Sequence, residues 1–434
     1  MRLEMAEFPV TDIRLGTRFR YHSGNLEVDA EELKESVLQD KRIKEARLDV
    51  VVPGENARVT GVRDVAEPRV KVDGKGQVFP GIVGPVKLVG VGRTHRLSSM
   101  AVVVAAEYEG IIRSGTDMER SAILDMWGAG AEASRFSALV NLVLTIKLTE
   151  GLAELDAHTV IQRAELGVAK RLAEATLGLK PQKDMEVYDL SEEKQGLPRV
   201  VLIQGCMTES DSPHSGVSYY GLPVRESLAT LVHPNELLDG AVGVNCTRGV
   251  CHHPTTWDWQ NHPLVLGLYR EHGRRLNFAG LILERIRFVT HHGKEVIALN
   301  TAQLGTMLRA DGALVTWLGG GNAFVDVMLT IEACEQRGIE TVLVGYESGV
   351  KAGDAPLLYY VPEANAVVST GSRNTPIELP AANRVIGAYD KFQILNYPGA
   401  PVVRAQDPVT LDARDMIIGG VDIWGMQSWS CKDY

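Results

Sequence analysis

The 434-residue sequence has no apolar run of about 18 residues, which argues against a membrane-spanning helix. Cysteine is scarce, with five residues at positions 206, 246, 251, 334 and 431. So few thiols, odd in number, do not make the disulfide framework of a secreted fold, and a reducing compartment leaves a thiol available for chemistry. The opening Met1-Arg2-Leu3-Glu4 lacks a basic segment followed by an apolar core, so a cytoplasmic protein is expected. Basic charge is also in deficit: 45 Lys and Arg face 55 Asp and Glu, for a net charge of -10. With no basic stripe interleaved with aromatics, a nucleic-acid partner is not expected. There is no GxSxG, which disfavours serine-hydrolase chemistry, and no internal repeat or low-complexity tract stands out.

What is present is an ordinary globular composition, 45% apolar and 23% charged, in a chain longer than one hydrophobic core normally supports. Two or three domains follow. Forty-three glycines suit a turn-rich α/β enzyme better than a helical bundle. Residues 1–150 read as a β-rich domain, with short strands at Leu48–Val52, Arg69–Val72 and Met100–Val104. A helix is expected from Asp29 to about Arg42, and Gly128–Glu132 reads as a glycine-rich loop. Residues 151–198 read as an amphipathic helix (156–177) and then a charged, proline-bearing linker. From residue 199 to 434 strands alternate with helices: Arg199–Ile203, Phe278–Leu283, a helix near 296–309, Ala313–Trp317, a helix near 323–336, then Thr341–Val344 and Ala366–Ser369. That rhythm predicts βαβ units and a doubly wound, mostly parallel α/β domain.

The most informative stretch is Gly243-Val244-Asn245-Cys246-Thr247-Arg248-Gly249-Val250-Cys251-His252-His253. A cysteine behind a flexible Gly-Val-Asn segment can attack its own upstream carbonyl, cut the chain and become an electrophilic cofactor. The plainer reading is a half-buried cysteine beside a turn. Zinc is a further alternative, through Cys246, Cys251 and His252, although the spacing is loose and adjacent histidines do not easily converge on one metal. Gly319-Gly320-Gly321-Asn322, between strand and helix, reads as a tight turn or as a seat for a substrate carboxylate. It is neither a dinucleotide fingerprint nor a phosphate loop with its lysine. His291-His292 reads as an exposed loop pair. Glu67-Pro68-Arg69 and Arg93-Thr94-His95 read as salt-bridging groups, or as charge placed around the processing loop.

These residues also carry a resemblance over nearly the whole chain. Glu67-Pro68-Arg69-Val70-Lys71-Val72, Val78-Phe79-Pro80-Gly81, Gly92-Arg93-Thr94-His95, Asp125-Met126 and Gly130-Ala131-Glu132 occur in order. His233-Pro234-Asn235-Glu236, Asp239-Gly240-Ala241, Asn245-Cys246, Gln260-Asn261 before Pro263, and Val367-Val368-Ser369-Thr370-Gly371 follow. The sequence resembles the alpha/beta proprotein of component B of the glycine/sarcosine/betaine reductases. The resemblance implies cleavage between Asn245 and Cys246, with Cys246 becoming a pyruvoyl group and no separate organic cofactor or metal. Fragments of roughly 27 and 21 kDa would result, scaling 47.3 kDa by residue share. It further implies an oxidoreductase subunit, active only with partners, that binds glycine, sarcosine or betaine and presents its C–N bond to a selenol- or thiol-bearing component B subunit. A small selenoprotein or thiol carrier then takes the carboxymethyl group, so a hetero-oligomer is expected.

Asn245, Cys246 and Thr247 are thus the candidate reacting residues. Arg248 is the nearest cation for a substrate carboxylate, and Gln260, Asn261, Arg93 and His95 are further substrate-binding candidates. The loop Thr247–His253 departs from the family pattern of small residues, a second cysteine and Asp-Lys, and the ending Trp424–Cys431 departs as well. Two other classes therefore stay open: a non-catalytic subunit that organises a partner reductase, and the Cys/His zinc enzyme.

Overall fold

The computed structural model describes residues 1–74, 76–107, 122–207, 216–244, 254–286, 289–319, 321–347, 359, 361–394, 401–427 and 430–431. The fold is mixed α/β. In the first half the central sheet is built from β1 (Ile43–Val51), β2 (Ala57–Ala66), β3 (Met100–Glu107), β4 (Ala122–Asp125) and β5 (Val140–Leu148), in the spatial order β4-β2-β3-β5-β1. Met100–Ala106 is apolar at every position because both faces of β3 are covered. Its alternate residues Met100, Val102, Val104 and Ala106 join one core, whereas Ala101 and Val103 join another.

The first of those cores is closed by α1 (Glu154–Ala173). Ala157, Val160, Ile161, Ala164, Val168 and Leu172 recur at three- and four-residue spacing and face the sheet. Glu154 and Asp156 in its first turn and Lys170 and Arg171 in its last complement the helix dipole. The expected linker is more than a tether. Glu186–Asp189 forms the edge of a second sheet, pairing antiparallel with Arg2–Pro9, which in turn pairs with Gly92–Ser98 and through it with Arg69–Asp73. Asp29 caps the early helix, which runs Ala30–Leu38, shorter than expected, and Gly128–Ala133 is a short helix where a loop was expected.

In the second half, β6 (Arg199–Met207), β7 (Ala229–Val232), β8 (Val242–Gly243), β9 (Asn277–Ile286), β10 (Gly312–Trp317), β11 (Glu340–Glu347) and β12 (Val367–Ser372) follow in turn. All but β8 enter one seven-stranded sheet, ordered β7-β9-β6-β10-β11-β12 and then Ser430–Cys431. The five strands β9, β6, β10, β11 and β12 run parallel, and the two edges are antiparallel. In chain order the parallel strands lie 2-1-3-4-5. That order reverses between β6 and β10, and open sheets of this kind place ligand crevices at the carboxyl ends of such strands. The helix between β9 and β10 spans His291–Met307, so His291-His292 form its first turn and not the loop before it.

The chain then returns to its first half. β13 (Arg384–Gly387) adds to β2 in parallel, and Ile377, Leu379, Phe392, Val409 and Leu411 pack with Ile123 and Ala133. The expected 199–434 unit thus gives a strand to the N-terminal sheet.

One buried charge in the second sheet has a testable consequence. Glu284 on β9 is buried, accepts from Thr330 Oγ1 at 2.6 Å, and is pushed up to about 8, chiefly by burial. A carboxyl raised in the fold stabilises below its unfolded value and loses that contribution as pH rises toward about 8. Glu284→Gln is therefore expected to raise the melting temperature at pH 8.5 relative to wild type and to leave it little changed at pH 4, as read by calorimetry.

Candidate functional site

The segment 245–253, where cleavage is expected, lies outside the described residues, and with it Asn245, Cys246, Thr247, Arg248, Cys251, His252 and His253. Its two roots are described. Val244 leaves the two-residue strand β8 with its N–H donating to Thr256 Oγ1 at 3.3 Å and its carbonyl accepting from Gln162 Nε2 at 2.6 Å. The residues on either side of the segment are thus joined directly, and both are held by the first half of the chain.

Thr256 is held in turn by a buried carboxyl. Thr256 Oγ1 donates to Asp64 Oδ2 at 2.5 Å and its backbone N–H to Asp64 Oδ1 at 2.8 Å. Asp64 reaches this place through a bulge in β2. Val62 opposes Ala105, but Asp64 opposes Val104, so Arg63 is the extra residue. Regular alternation would put Asp64 on the face of Val62; the bulge turns it to the face covered by α1. There it meets Glu165, one helical turn beyond Gln162, so amide and carboxyl emerge on the same side of α1.

Asp64 is pushed up to about 7, first by burial, against the pull of the hydrogen bonds from Thr256, from the Val65 backbone and from Glu165. Glu165 is fully buried and raised well above the usual carboxylate range, by burial and then by Asp64. Neither Glu165 oxygen has a donor among the described residues when the group is ionised. A proton on Glu165, donated to Asp64, satisfies both groups, which is the arrangement two like charges in one dry site require.

After residue 253, α2 (Thr256–Gln260) is locked from several sides. A capping box starts it, with Thr255 Oγ1 accepting from the Asp258 N–H at 3.2 Å and Asp258 Oδ2 accepting from the Thr255 N–H at 2.8 Å. Arg135 pairs with Asp258 at 2.7 Å. Thr255→Ala is expected to cost about 1 kcal/mol, read as a lower denaturant midpoint with an unchanged slope.

The other sequence candidates divide. Gln260 is buried and exchanges two hydrogen bonds with the backbone of Glu67, at 2.9 and 3.1 Å. Asn261 accepts from Arg69 at 3.0 Å, and Arg69 also pairs with Glu67 and donates to the Leu238 and Gln260 carbonyls. The Gln260-Asn261 motif thus fastens α2 to the turn after β2. Arg93 pairs with Glu4 at 2.8 Å, and His95 is buried against Phe8 with Nδ1 3.0 Å from Thr176 Oγ1. Burial pushes His95 down. Both sit on Gly92–Ser98, in the smaller sheet, and their partners are protein groups. Their neighbour Thr94 bonds Asp239, which also holds Lys71 and the Gly90 N–H, so this strand anchors the chain ahead of β8.

His262 stacks on Trp424 with centroids 3.8 Å apart, its Nε2 3.4 Å from Gln204 Oε1 near the end of β6. Burial pushes it down to about 3, so it is neutral. It connects the end of α2 to the strand end at the reversal point of the large sheet. Gly319 and Gly321 follow β10 there with φ of 115° and 58°, values that favour glycine, and the Gly319 carbonyl accepts from Trp317 and Tyr346. Among the described residues no group of three or more His, Cys, Asp or Glu could hold a metal, and Cys206 and Cys334 are buried free thiols. The residues of the zinc alternative lie in the undescribed segment. No helix among the described residues is long and apolar enough to cross a membrane.

Sequence reasoning passed over Asp64, Gln162, Glu165 and Thr256. The available signal was polarity in the wrong place: an aspartate within Val62–Ala66, and Gln162 and Glu165 among the apolar positions of an amphipathic helix.

The family model for glycine/sarcosine/betaine reductase component B subunits matches residues 1–432. "Glycine reductase complex component B subunits alpha and beta" of Peptoclostridium acidaminophilum is 33% identical over 442 residues, covering 100% of both chains. The sarcosine reductase component B subunit alpha of the same organism is 32% identical over 402 residues, with 91% of each chain covered. Its betaine reductase component B subunit alpha is 32% identical over 398 residues, covering 89% of this chain and 88% of the relative. No solved structure matches the chain.

Proposed function

The chain belongs to the glycine/sarcosine/betaine reductase component B family, and from that membership we propose that it is the pyruvoyl-bearing subunit of an amino-acid reductase complex. Its substrate is glycine or an N-methylated derivative, its electrophile arises by self-cleavage at Asn245-Cys246, and its partners are a selenol- or thiol-bearing component B subunit and a small carrier protein. One observation carries the reading: Val244 and Thr256, the roots of the segment containing Asn245-Cys246, are joined to each other and seated on one buried polar cluster.

The residues around that segment suit the group. Gln162 fixes the carbonyl of Val244, which sets where Asn245 begins. Glu165, one turn beyond Gln162 on α1, offers two buried oxygens with no donor among the described residues. The dry surroundings of Val244, Thr256 and Gln260, all buried, keep bulk water from the roots of the segment. For glycine or sarcosine, whose nitrogen carries a lone pair when deprotonated, a pyruvoyl group at residue 246 would supply a ketone that takes up the substrate nitrogen and draws electrons from the C–N bond to be cut. Arg248, two residues on, supplies a cation for the substrate carboxylate. The near-equal identities to glycine, sarcosine and betaine relatives favour none of the three substrates.

Denaturing electrophoresis of the purified protein tests the proposal. Two chains of roughly 27 and 21 kDa are expected, from the residue share of 47.3 kDa. A single full-length band, persisting after incubation in an extract containing the assembled complex, contradicts it.

A further inference from the structure

We infer that the chain completes its fold before it is cut, and that its two products then stay interleaved as one body in which neither folds without the other. The order of folding and cutting rests on the self-cleavage reading above. The interleaving is a property of the strands themselves and stands whether or not the chain is broken.

A break between residues 245 and 246 divides the strands of the large sheet out of their spatial order. β6 and β7 precede the break and belong to the first product, and β9, β10, β11 and β12 follow it and belong to the second. In space the order is β7-β9-β6-β10-β11-β12, so β9 lies between two strands of the first product and β6 between two strands of the second. β6 pairs in parallel with β9 along its whole length, from Arg199 opposite Asn277 to Met207 opposite Ile286. Its other side pairs with β10, from Val200 to Gly205. β7 pairs with β9 alone among the described strands. The first product by itself therefore leaves β6 and β7 with no neighbour in the sheet, and the second leaves β9 apart from β10. Each stranded element would expose ladder N–H and C=O groups, together with side chains that are now fully buried, among them Val201, Ile203, Leu281 and Ile282.

The exchange is reciprocal. The second product returns β13 to β2 of the first, from Arg384 opposite Ala57 to Gly387 opposite Thr60. Gly387 has a φ of 102°, and a Cβ there would strike the Thr60 carbonyl oxygen, so the two backbones meet as closely as glycine allows. Thr60 Oγ1 donates to the Tyr389 carbonyl at 2.6 Å and accepts from the Tyr389 N–H at 3.1 Å. Arg58, on the same strand, reaches the Ala405 and Pro380 carbonyls. Both exchanges join described residues on either side of 245–253, and neither uses the peptide link between them. The link matters earlier, while the fold forms. One chain brings β6 between β9 and β10 at the cost of closing a loop, which grows slowly with loop length. Two chains would first have to lose the translational and rotational freedom of separate molecules, a larger cost. Folding while the chain is whole is therefore the favoured order, and the finished ladders then hold the products together.

Two measurements on the whole protein test the inference. In a pulse-chase of cells that express the complex, the labelled full-length chain is expected to become protease-resistant before it is cut, so both fragments arise only in the resistant pool. Fragments in the protease-sensitive pool overturn that order. Hydrogen exchange in rising denaturant, on the natural protein and on Cys246→Ala, which keeps the link, tests the interleaving. Amides of β6 and β7 are expected to lose protection at the same denaturant concentration as those of β9 and β10 in both proteins. Leu281→Ala, on β9 of the second product, should speed exchange in β6 of the first by roughly 30-fold or more. Ile203→Val, a milder change on β6, should speed exchange in β9 and β10 by roughly threefold or more. Protection that persists in β9 and β10 after β6 and β7 have opened, or strands indifferent to truncation across the break, overturn the interleaving. A wild-type chain that stays whole in the assembled complex sinks the self-cleavage reading and the order of events with it, while the exchange pattern of the same chain still decides the interleaving.

Discussion

Cys246→Ala is expected to give one chain of full length, 47.3 kDa, with no borohydride-sensitive carbonyl, where the wild type gives two chains. The effect is all-or-none because the thiol is both the nucleophile and the atom lost. Alanine has no group that can add to the Asn245 carbonyl, and it has no leaving group at Cβ. Cys251→Ala, in the same segment, separates this account from zinc binding. It should leave cleavage intact, whereas a zinc site would lose metal in both variants, as read by elemental analysis.

The second large effect is on stability. Arg58, fully buried on β2, makes a two-pronged pair with Asp125 on β4 at 2.6 and 2.8 Å. The same guanidinium donates to the Ala405 carbonyl at 2.8 Å and the Pro380 carbonyl at 3.0 Å. It therefore fastens the returning C-terminal segment to the first sheet. Burial pushes the Asp125 carboxyl up, and Arg58 pulls it back. Asp125→Ala strands a buried cation and is expected to cost about 3–5 kcal/mol. A lower denaturant midpoint is the primary readout. Faster proteolysis between residues 377 and 418 should accompany it, because that segment loses its anchor. An unchanged midpoint would show that the carbonyls alone suffice.

The two halves of the fold were legible to different degrees, for physical reasons. Arg199–Ile203 and Phe278–Leu283 are continuous apolar runs because parallel strands are buried on both faces, and such runs read clearly. Helix Ala323–Glu335 was equally plain. The return of Arg384–Gly387 to β2 was not legible, since a four-residue edge pairing leaves almost no pattern in sequence. Glu186–Asp189 was read as linker because its charge and exposure reflect an edge position, with its pairing to Arg2–Pro9 invisible at that distance along the chain.

At the site, several motifs of the resemblance fall on residues that hold the fold together. Glu67, Arg69, Gln260 and Asn261 form a buried clamp, as salt bridging would predict for the first two. Asp239 is a hub for Thr94, Lys71 and Gly90. These residues brace the chain on either side of residues 245–253. Asp64 and Glu165 escaped notice because their meeting depends on a bulge at Arg63 and on the phase of α1, and neither feature is written in local composition.

The intact mass and N-terminus of the fragment that begins at residue 246 test the central claim most directly. A blocked terminus that reacts with a carbonyl reagent, with the mass of a chain starting in a pyruvoyl group, is the predicted result. A fragment starting with an intact Cys246 and a free amine, or a chain that stays whole within the assembled complex, would contradict it.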